Sequence, residues 1–262
     1  MAAMPIELAS PGPASDGDTA LPRAAASGLP DWLPALLQLA SPALPIGSFS
    51  YSQGLEAAAW AGVVRDEAGA LAWIGSHWHS AFAARELPVV EDACRRLAEA
   101  AHADPDETAA AASLLEALAE LDEAFVASRD SAEARAETRQ TGAALLRWLG
   151  GLHPDSAPWR LGQALAARGQ PPCAPLAFAL GAHAQGLPPA AARLGWGFAW
   201  LENQVMAAVK IVPLGQSAGQ RLLVALRPLL AEASEEEPWS FAPLASVLAM
   251  RHERQYTRLF RS

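Results

Sequence analysis

The chain has 262 residues, a formal net charge of −9, a hydrophobic fraction of 52% and a charged fraction of 18%, values typical of a globular protein with a sizeable core. Its acidic total and single lysine, Lys210, disfavour general nucleic-acid binding, which needs a broad cationic surface, and favour a protein partner. The longest apolar stretch is broken by charged and amide residues, so the sequence predicts no membrane span.

The first 30 residues are rich in Ala, Pro, Ser and Gly and lack the basic and apolar regions of a secretory signal. This composition predicts a disordered leader over residues 1–30. The two cysteines, Cys94 and Cys173, are far apart and have no CxxC spacing. They are predicted to be buried free thiols of a protein from a reducing compartment.

The first predicted helix covers residues 31–40, "DWLPALLQLA", with Asp31 as its N-cap. Prolines and a glycine then predict a loop in "SPALPIGSFSYSQGLE". Within it, Ser50 and Gln53 have the spacing of a capping box, which predicts a second helix starting near Tyr51.

Further helices follow in the middle of the chain. Asp104 has the position of an N-cap before an Ala/Leu/Glu-rich helix that is predicted to end near Arg129. The next helix is expected over residues 131–149, where a polar beginning becomes apolar. Two more are predicted at about 158–168 and 174–186.

The segment 188–212 has the strongest helical period and is predicted to be the central helix. Gly195 and Gly197 within it indicate close backbone approach by another helix, because glycine is unfavourable in a helix interior. The apolar positions of the predicted seam are Leu194, Phe198, Leu201, Val205, Ala208 and Val212.

After a break at Pro213 and Gly215, Ser217 and Gln220 have capping-box spacing before a predicted helix at about 218–231. A polar loop and a last helix follow. With scarce strand periodicity and no second core, the sequence predicts an all-α fold with one helical domain at residues 31–250.

The tail, residues 251–262, contrasts with this acidic body because it carries four arginines and one glutamate, a net charge of +3. On a helix the arginines would form one basic stripe beside an aromatic and apolar face. We therefore interpret the tail as a partner-docking element. The stripe consists of Arg251, Arg254, Arg258 and Arg261, and the neighbouring face of His252, Tyr256, Leu259 and Phe260.

No strong catalytic or nucleotide-binding pattern accompanies these elements. The P-loop and G-x-G-x-x-G motifs are absent, and His77 and His79 are too close in sequence to share one helix face as metal ligands. The serines at positions 48, 50 and 52 have no marked histidine and carboxylate partners.

Four stretches closely resemble the UreF family of urease accessory proteins, in order and at suitable intervals. They are "LLQLASPALPIGSFSYSQGLE", "AEARAETRQTGAALLRWL", "WLENQVMAAVKIVPLGQSAGQRLLVAL" and "MRHERQYTRLFRS". The similarity extends from about Trp32 to Ser262 and leaves the leader unmatched.

This resemblance implies an all-α, cytoplasmic, non-enzymatic chaperone for nickel insertion into urease. Family members form a homodimer, bind the accessory protein UreD (also called UreH), and together recruit the GTPase UreG to apo-urease. The tail is expected to become ordered in that complex. No firmly bound cofactor is expected, because the complex handles the nickel.

The resemblance also implies partner-binding positions in three regions: the first motif, the turn after the central helix, and the tail. They are Tyr51, Ser52, Gln53 and Glu56; Lys210, Gln216 and Gln220; and Arg251, His252, Tyr256, Arg258 and Phe260. Three alternatives stay open at this point. A tail arginine could reach the nucleotide of UreG and make the chain a GTPase-activating protein, the chain could be a stand-alone all-α enzyme, or His252 could carry nickel directly.

Overall fold

The computed structural model describes residues 28–102, 108–232, 242–253 and 255–261. All regular structure in these ranges is helical and contains no strand, which confirms the predicted all-α class. Residues 1–27 and Asp104 lie outside the described residues, so the disordered leader and the Asp104 cap stay predictions. None of the described helices combines the length and apolar character needed to cross a bilayer.

Eleven α-helices occur in the described residues, joined by two short 3-10 helices, Ser48–Ser50 and Arg227–Ala231, and by a π-helical segment, Trp78–Phe82, between α3 and α4. The α-helices are α1 Leu33–Leu39, α2 Leu55–Trp60, α3 Glu67–His77, α4 Ala83–Ala101, α5 Thr108–Ala127, α6 Ala132–Leu152, α7 Ala157–Ala166, α8 Ala174–Ala184, α9 Pro189–Ile211, α10 Gln216–Leu226 and α11 Pro243–His252. The helices predicted near 131–149, 158–168 and 174–186 are confirmed as α6, α7 and α8.

Helix α8 lies at the centre of the fold, where it packs against α4, α6, α7 and α9. Every residue from Ala174 to Ala182 is buried, as expected for nine consecutive residues without a charge. Its N-terminus is satisfied by neighbouring helices, because Cys173 N donates to Asp122 Oδ1 at 2.6 Å and Ala174 N donates to Thr138 Oγ1 at 2.9 Å. A carboxylate at this end also favours the helix dipole.

Two glycines permit the closest approaches around α8 and α9. A Cβ atom on Gly142 of α6 would lie 1.9 Å from the carbonyl oxygen of Pro172, just before α8. A Cβ atom on Gly195 of α9 would lie 2.6 Å from Leu36 Cδ1 of α1. The close backbone approach predicted at Gly195 and Gly197 is therefore wrong, because side chains and not a backbone lie against both glycines.

The predicted seam of α9 is correct only in its second half. Leu201, Val205, Ala208 and Val212 are buried, whereas Leu194 and Phe198 are exposed. In the first half of α9 the buried face instead runs through Gly195 and Trp196, where the glycine lets α1 pack closely. Helix α9 packs against α1, α2, α3, α4, α8 and α10, so the prediction of a central helix over residues 188–212 is confirmed, and α8 shares this central position.

The predicted N-caps of three helices are wrong. Helix α1 begins at Leu33 after Trp32, α2 at Leu55 after Gly54, and α10 at Gln216 after Gly215, and none of these three N-caps makes a side-chain capping hydrogen bond. At α2 the physical reason is clear, because the side chain of Gln53 bonds to α6 and α9 and its backbone has a φ of 51°. The predicted caps were Asp31, the Ser50 and Gln53 pair, and the Ser217 and Gln220 pair.

Candidate functional site

Helix α11 and the tail pack on α2 and on the beginning of α6. Leu248 and His252 of α11 and Phe260 of the tail are buried, and Leu248 and Phe260 belong to the main hydrophobic core. The backbone N–H of Arg261 donates to the carbonyl oxygen of Ser50 at 2.7 Å. The described tail is therefore folded onto the body of the same chain.

The helical basic stripe predicted for the tail does not form in the described residues. Helix α11 ends at His252, and residues 255–261 are bends without regular structure. The reason is that the N–H groups of Leu259 and Phe260 donate to a carboxylate of α2, which replaces helical hydrogen bonding. Arg254 lies outside the described residues.

His252 is fully buried between two carboxylates. Its Nε2 lies 3.1 Å from Glu56 Oε2 and its Nδ1 lies 2.9 Å from Glu133 Oε2. Both ring nitrogens of His252 thus face a carboxylate, and these two contacts tie α11 to α2 and to α6.

Glu56 is the acceptor on which the tail converges. Its Oε1 accepts from Leu259 N at 2.7 Å, and its Oε2 accepts from Phe260 N at 3.0 Å as well as facing His252. The carboxylate is buried, so each of these bonds is shielded from water. A single side chain of α2 thus fixes the end of α11 and the end of the tail.

The start of α6 supplies the second set of contacts. Arg258 of the tail donates to Glu133 Oε1. Glu253, just after α11, accepts from the N–H of Ala132 at 2.9 Å, and Ser131 supplies the N-cap of α6. An acidic side chain at the N-terminus of α6 is favoured by the helix dipole.

Tyr51, Ser52 and Gln53 lie inside the fold and support this arrangement. Tyr51 Oη donates to Gln140 Oε1 at 2.8 Å, and burial raises the pKa of Tyr51 above its ordinary value. Ser52 Oγ accepts from Glu56 N at 3.2 Å at the start of α2. Gln53 donates to Glu137 at 2.8 Å and accepts from the indole N–H of Trp200 at 2.6 Å.

Lys210 is exposed at the end of α9 beside the tail. Its Nζ lies 5.8 Å from the ring centroid of Phe260 and 6.0 Å from that of Phe49, distances compatible with a cation–π contact. Gln216 and Gln220 are exposed one turn apart on α10, and no hydrogen bond between described residues joins them to the tail. Of the three predicted turn residues, Lys210 thus lies beside the tail, whereas Gln216 and Gln220 lie on the exposed side of α10.

The remaining tail positions are on the surface. Arg251, Tyr256 and Arg258 are exposed, and Tyr256 is fully so.

A nickel ion on His252 would have to displace one of the two carboxylates. Within the described ranges no group of three or more His, Cys, Asp or Glu side chains is arranged to hold a metal ion. Direct nickel carriage by His252 stays a prediction, as does the alternative that a tail arginine reaches the nucleotide of UreG.

Sequence reasoning did not single out Glu133 and Glu253, which anchor the tail together with Glu56. Glu133 lies in one of the four stretches that carry the family resemblance, and the opposite charges of the tail and the body were visible in the sequence. Their pairing was not visible, because Glu133 and His252 are 119 residues apart.

Comparison with known proteins identifies the family of the chain. The family model described as UreF matches residues 64–227, so it includes neither the first motif nor the tail. The urease accessory protein UreF of Azoarcus sp. (strain BH72) is 46% identical over 236 residues, 87% of this chain and 94% of its own length. That of Delftia acidovorans (strain DSM 14801 / SPH-1) is 45% identical over 247 residues, 87% of this chain and 96% of its own length. With an all-α fold, a family match over more than half of the chain and two such relatives, the chain belongs to the UreF family of urease accessory proteins.

Proposed function

We propose that this protein is a scaffold of urease maturation. With UreD/UreH it recruits the GTPase UreG to apo-urease, and the assembled complex inserts the nickel. The protein acts in the cytoplasm as a homodimer and catalyses no reaction itself. Its membership of the UreF family supports this proposal.

The observation that carries the proposal is an apolar surface on α11 and the tail, which we call the α11 surface. Leu244, Val247 and Met250 are 54%, 41% and 44% exposed and recur every three residues along the helix. Leu248 and His252 bury the opposite side of α11. A surface helix that is apolar on both sides is typical of a helix with a further partner.

The tail adds exposed residues of types that are common in binding hot spots. Tyr256 and Leu259 are exposed, and the exposed Arg251 and Arg258 adjoin them in sequence. Apolar side chains bordered by arginines suit a partner with an apolar patch and nearby carboxylates. We assign this role to UreD/UreH.

The test is complex formation with UreD/UreH and UreG, measured by size-exclusion chromatography with light scattering. Deleting the tail would remove the buried His252 and Phe260 and damage the fold, so point variants of exposed residues are better. The double variant Val247→Ser and Leu259→Ser should abolish co-elution with UreD/UreH while retaining the wild-type melting temperature.

Leu37→Ser is the matched control, because Leu37 is a leucine on α1 that is 64% exposed, between the exposures of Val247 and Leu259. This variant should co-elute with UreD/UreH as the wild type does. Co-elution of the double variant at wild-type affinity would refute the role of the α11 surface. Absence of any complex with the wild-type chain would refute the scaffold function itself.

A further inference from the structure

The exposed residues of helix α9 all fall in one row, although most of this helix is buried. Each is separated from the next by four residues or by a multiple of four, which is the spacing of a single ridge on the surface of an α-helix. At 1.5 Å per residue the row is about 30 Å long. Its exposed members are Ala190, Leu194, Phe198, Met206 and Lys210, and the half-buried Glu202 occupies the remaining position. We call these six residues the α9 ridge.

The α9 ridge has the composition of a contact surface. Leu194, Phe198 and Met206 are 41%, 38% and 38% exposed. Phe49 adds an exposed ring near the C-terminal end of the ridge, where its centroid lies 6.0 Å from Lys210 Nζ. The inner sides of α9 are buried against α4, α8 and α10. The helix therefore has apolar side chains on its inner and outer sides alike, as expected of a helix with a further partner.

The two charged residues of the α9 ridge have no opposite charge beside them within the described ranges. Burial raises the pKa of Glu202, and no nearby cation offsets this effect. Lys210 faces the rings of Phe49 and Phe260 and contacts no described carboxylate. A carboxylate at the edge of an apolar surface loses hydration when that surface is covered, so the covering partner must supply a cation.

The spacing of these charges identifies a partner that carries the same ridge. Glu202 and Lys210 lie four residues on either side of Met206. When a second α9 packs antiparallel on the first, with the two-fold axis at Met206, each Glu202 lies opposite the Lys210 of the other copy. A parallel pair would place like charges opposite each other, and an axis at Glu202 would bring two carboxylates together.

The same arrangement suits the packing of helices. Ridges with a spacing of four residues fit into the corresponding grooves of another helix. A two-fold axis makes one surface complementary to itself, which is the commonest way in which soluble proteins form dimers. We propose that two copies of this chain associate through the α9 ridge, antiparallel and centred on Met206, with two equivalent ion pairs between Glu202 and Lys210. This inference rests on the homodimer of the proposed function and assigns a surface to it.

The first test is the mass of the isolated full-length chain and its variants, measured by size-exclusion chromatography with light scattering, with the dissociation constant of the dimer from analytical ultracentrifugation. Met206→Arg places two like charges at the axis and should raise this constant at least about tenfold. Its melting temperature should stay that of the wild-type monomer unit, because Met206 is exposed. Leu152→Arg is the matched control: Leu152 is an exposed leucine on α6, and this variant should dimerise as the wild type does.

The second test exchanges the two charges. Glu202→Lys and Lys210→Glu should each raise the dissociation constant at least about tenfold, because each places like charges opposite one another. The double variant should return it close to the wild-type value, since every pair is then reversed and restored. A purely structural role of either residue would produce no such rescue.

The outcomes separate this inference from the homodimer itself. A wild-type dimer that persists unchanged in Met206→Arg, or a double variant that is no tighter than the single ones, would overturn the role of the α9 ridge and leave the homodimer standing. A monomeric wild-type chain would overturn both. Variants that stay dimeric but no longer co-elute with UreD/UreH would assign the ridge to that partner and likewise overturn the proposal.

Discussion

The contact that attaches the tail to the body can be tested with the single variant Glu56→Gln. In the wild type one buried carboxylate faces His252 and accepts from the N–H groups of Leu259 and Phe260. A glutamine has nearly the same shape but keeps one acceptor oxygen, and it presents an amide N–H₂ to groups that themselves donate. At least one hydrogen bond is lost and the charge opposite His252 disappears.

The expected magnitude follows from these contacts. A hydrogen bond to a buried charged group contributes about 1.5–3 kcal/mol, and leaving its partner unsatisfied adds to the loss. We expect Glu56→Gln to reduce the free energy of tail docking by about 3 kcal/mol, which is a factor of roughly 100 in the opening equilibrium. The rest of the fold should stay intact, because the main core lies around α8.

Native-state amide hydrogen exchange measures this opening locally. The amides of Leu259 and Phe260 should exchange roughly 100-fold faster in Glu56→Gln, or at the rate of an unfolded chain if their wild-type protection is smaller than that. Amides of α8 should not change. Glu67→Gln, which breaks an exposed pair with Arg221, is the control and should leave the tail amides unaffected. Unprotected tail amides in the wild type, or unchanged protection in Glu56→Gln, would refute the attachment.

Three further predictions concern the body of the protein. Because the pKa of His77 is about 4 in the folded chain and 6.5 ordinarily, the unfolded chain binds more protons between these values, so stability should fall by up to about 3 kcal/mol as the pH drops from 6.5 to 4. Denaturant titrations should find a smaller fall in His77→Gln, and an equal fall would contradict the assignment. Gly142→Ala should destabilise the chain by about 2 kcal/mol, because its Cβ would meet a backbone carbonyl at 1.9 Å. Gly151→Ala on the same helix meets nothing within 4 Å and should stabilise the chain by up to about 1 kcal/mol. Thermal denaturation measures both changes, and equal melting temperatures of the two variants would contradict the close contact at Gly142. Burial raises the pKa of Cys94 to about 12 and that of Cys173 well above 9.0, so a thiol reagent should label both only after unfolding, and rapid labelling of the native chain would contradict their burial.

Helix α1 and most helices from α5 onward were predictable from the sequence, because apolar periodicity and loop-forming residues act locally, whereas α3 and α4 were not predicted. The region from Ser131 onward illustrates this: Ser131 caps α6, Ser156 caps α7, and the uncharged stretch that begins at Ala174 becomes the buried α8. Each of these elements depends on residues within about ten positions of one another. The burial of the two cysteines followed in the same way from composition.

The helix starts and the tail were not predictable, because long-range contacts decide them. Gln53 has the spacing of a capping residue, yet its amide bonds to Glu137 and Trp200, which are 84 and 147 residues away. Periodicity likewise favours a helix through the tail, but Glu56 takes the N–H groups of Leu259 and Phe260 across about 200 residues. A cavity of about 140 Å³ beneath α11 had no sequence signal either, because its lining residues come from six separate regions of the chain.

The attachment of the tail changes the energetics of the proposed docking. A tail that became ordered only in the complex would lose its conformational entropy at the moment of binding, which lowers affinity. In this structure the bonds from Glu56 and Glu133 already order the tail, so most of that entropy is lost when the chain folds. Tyr256 and Leu259 are then held in exposed positions at the surface. The buried carboxylates therefore support partner binding without touching the partner, and a variant such as Glu56→Gln should weaken the complex even though every residue of the α11 surface is retained.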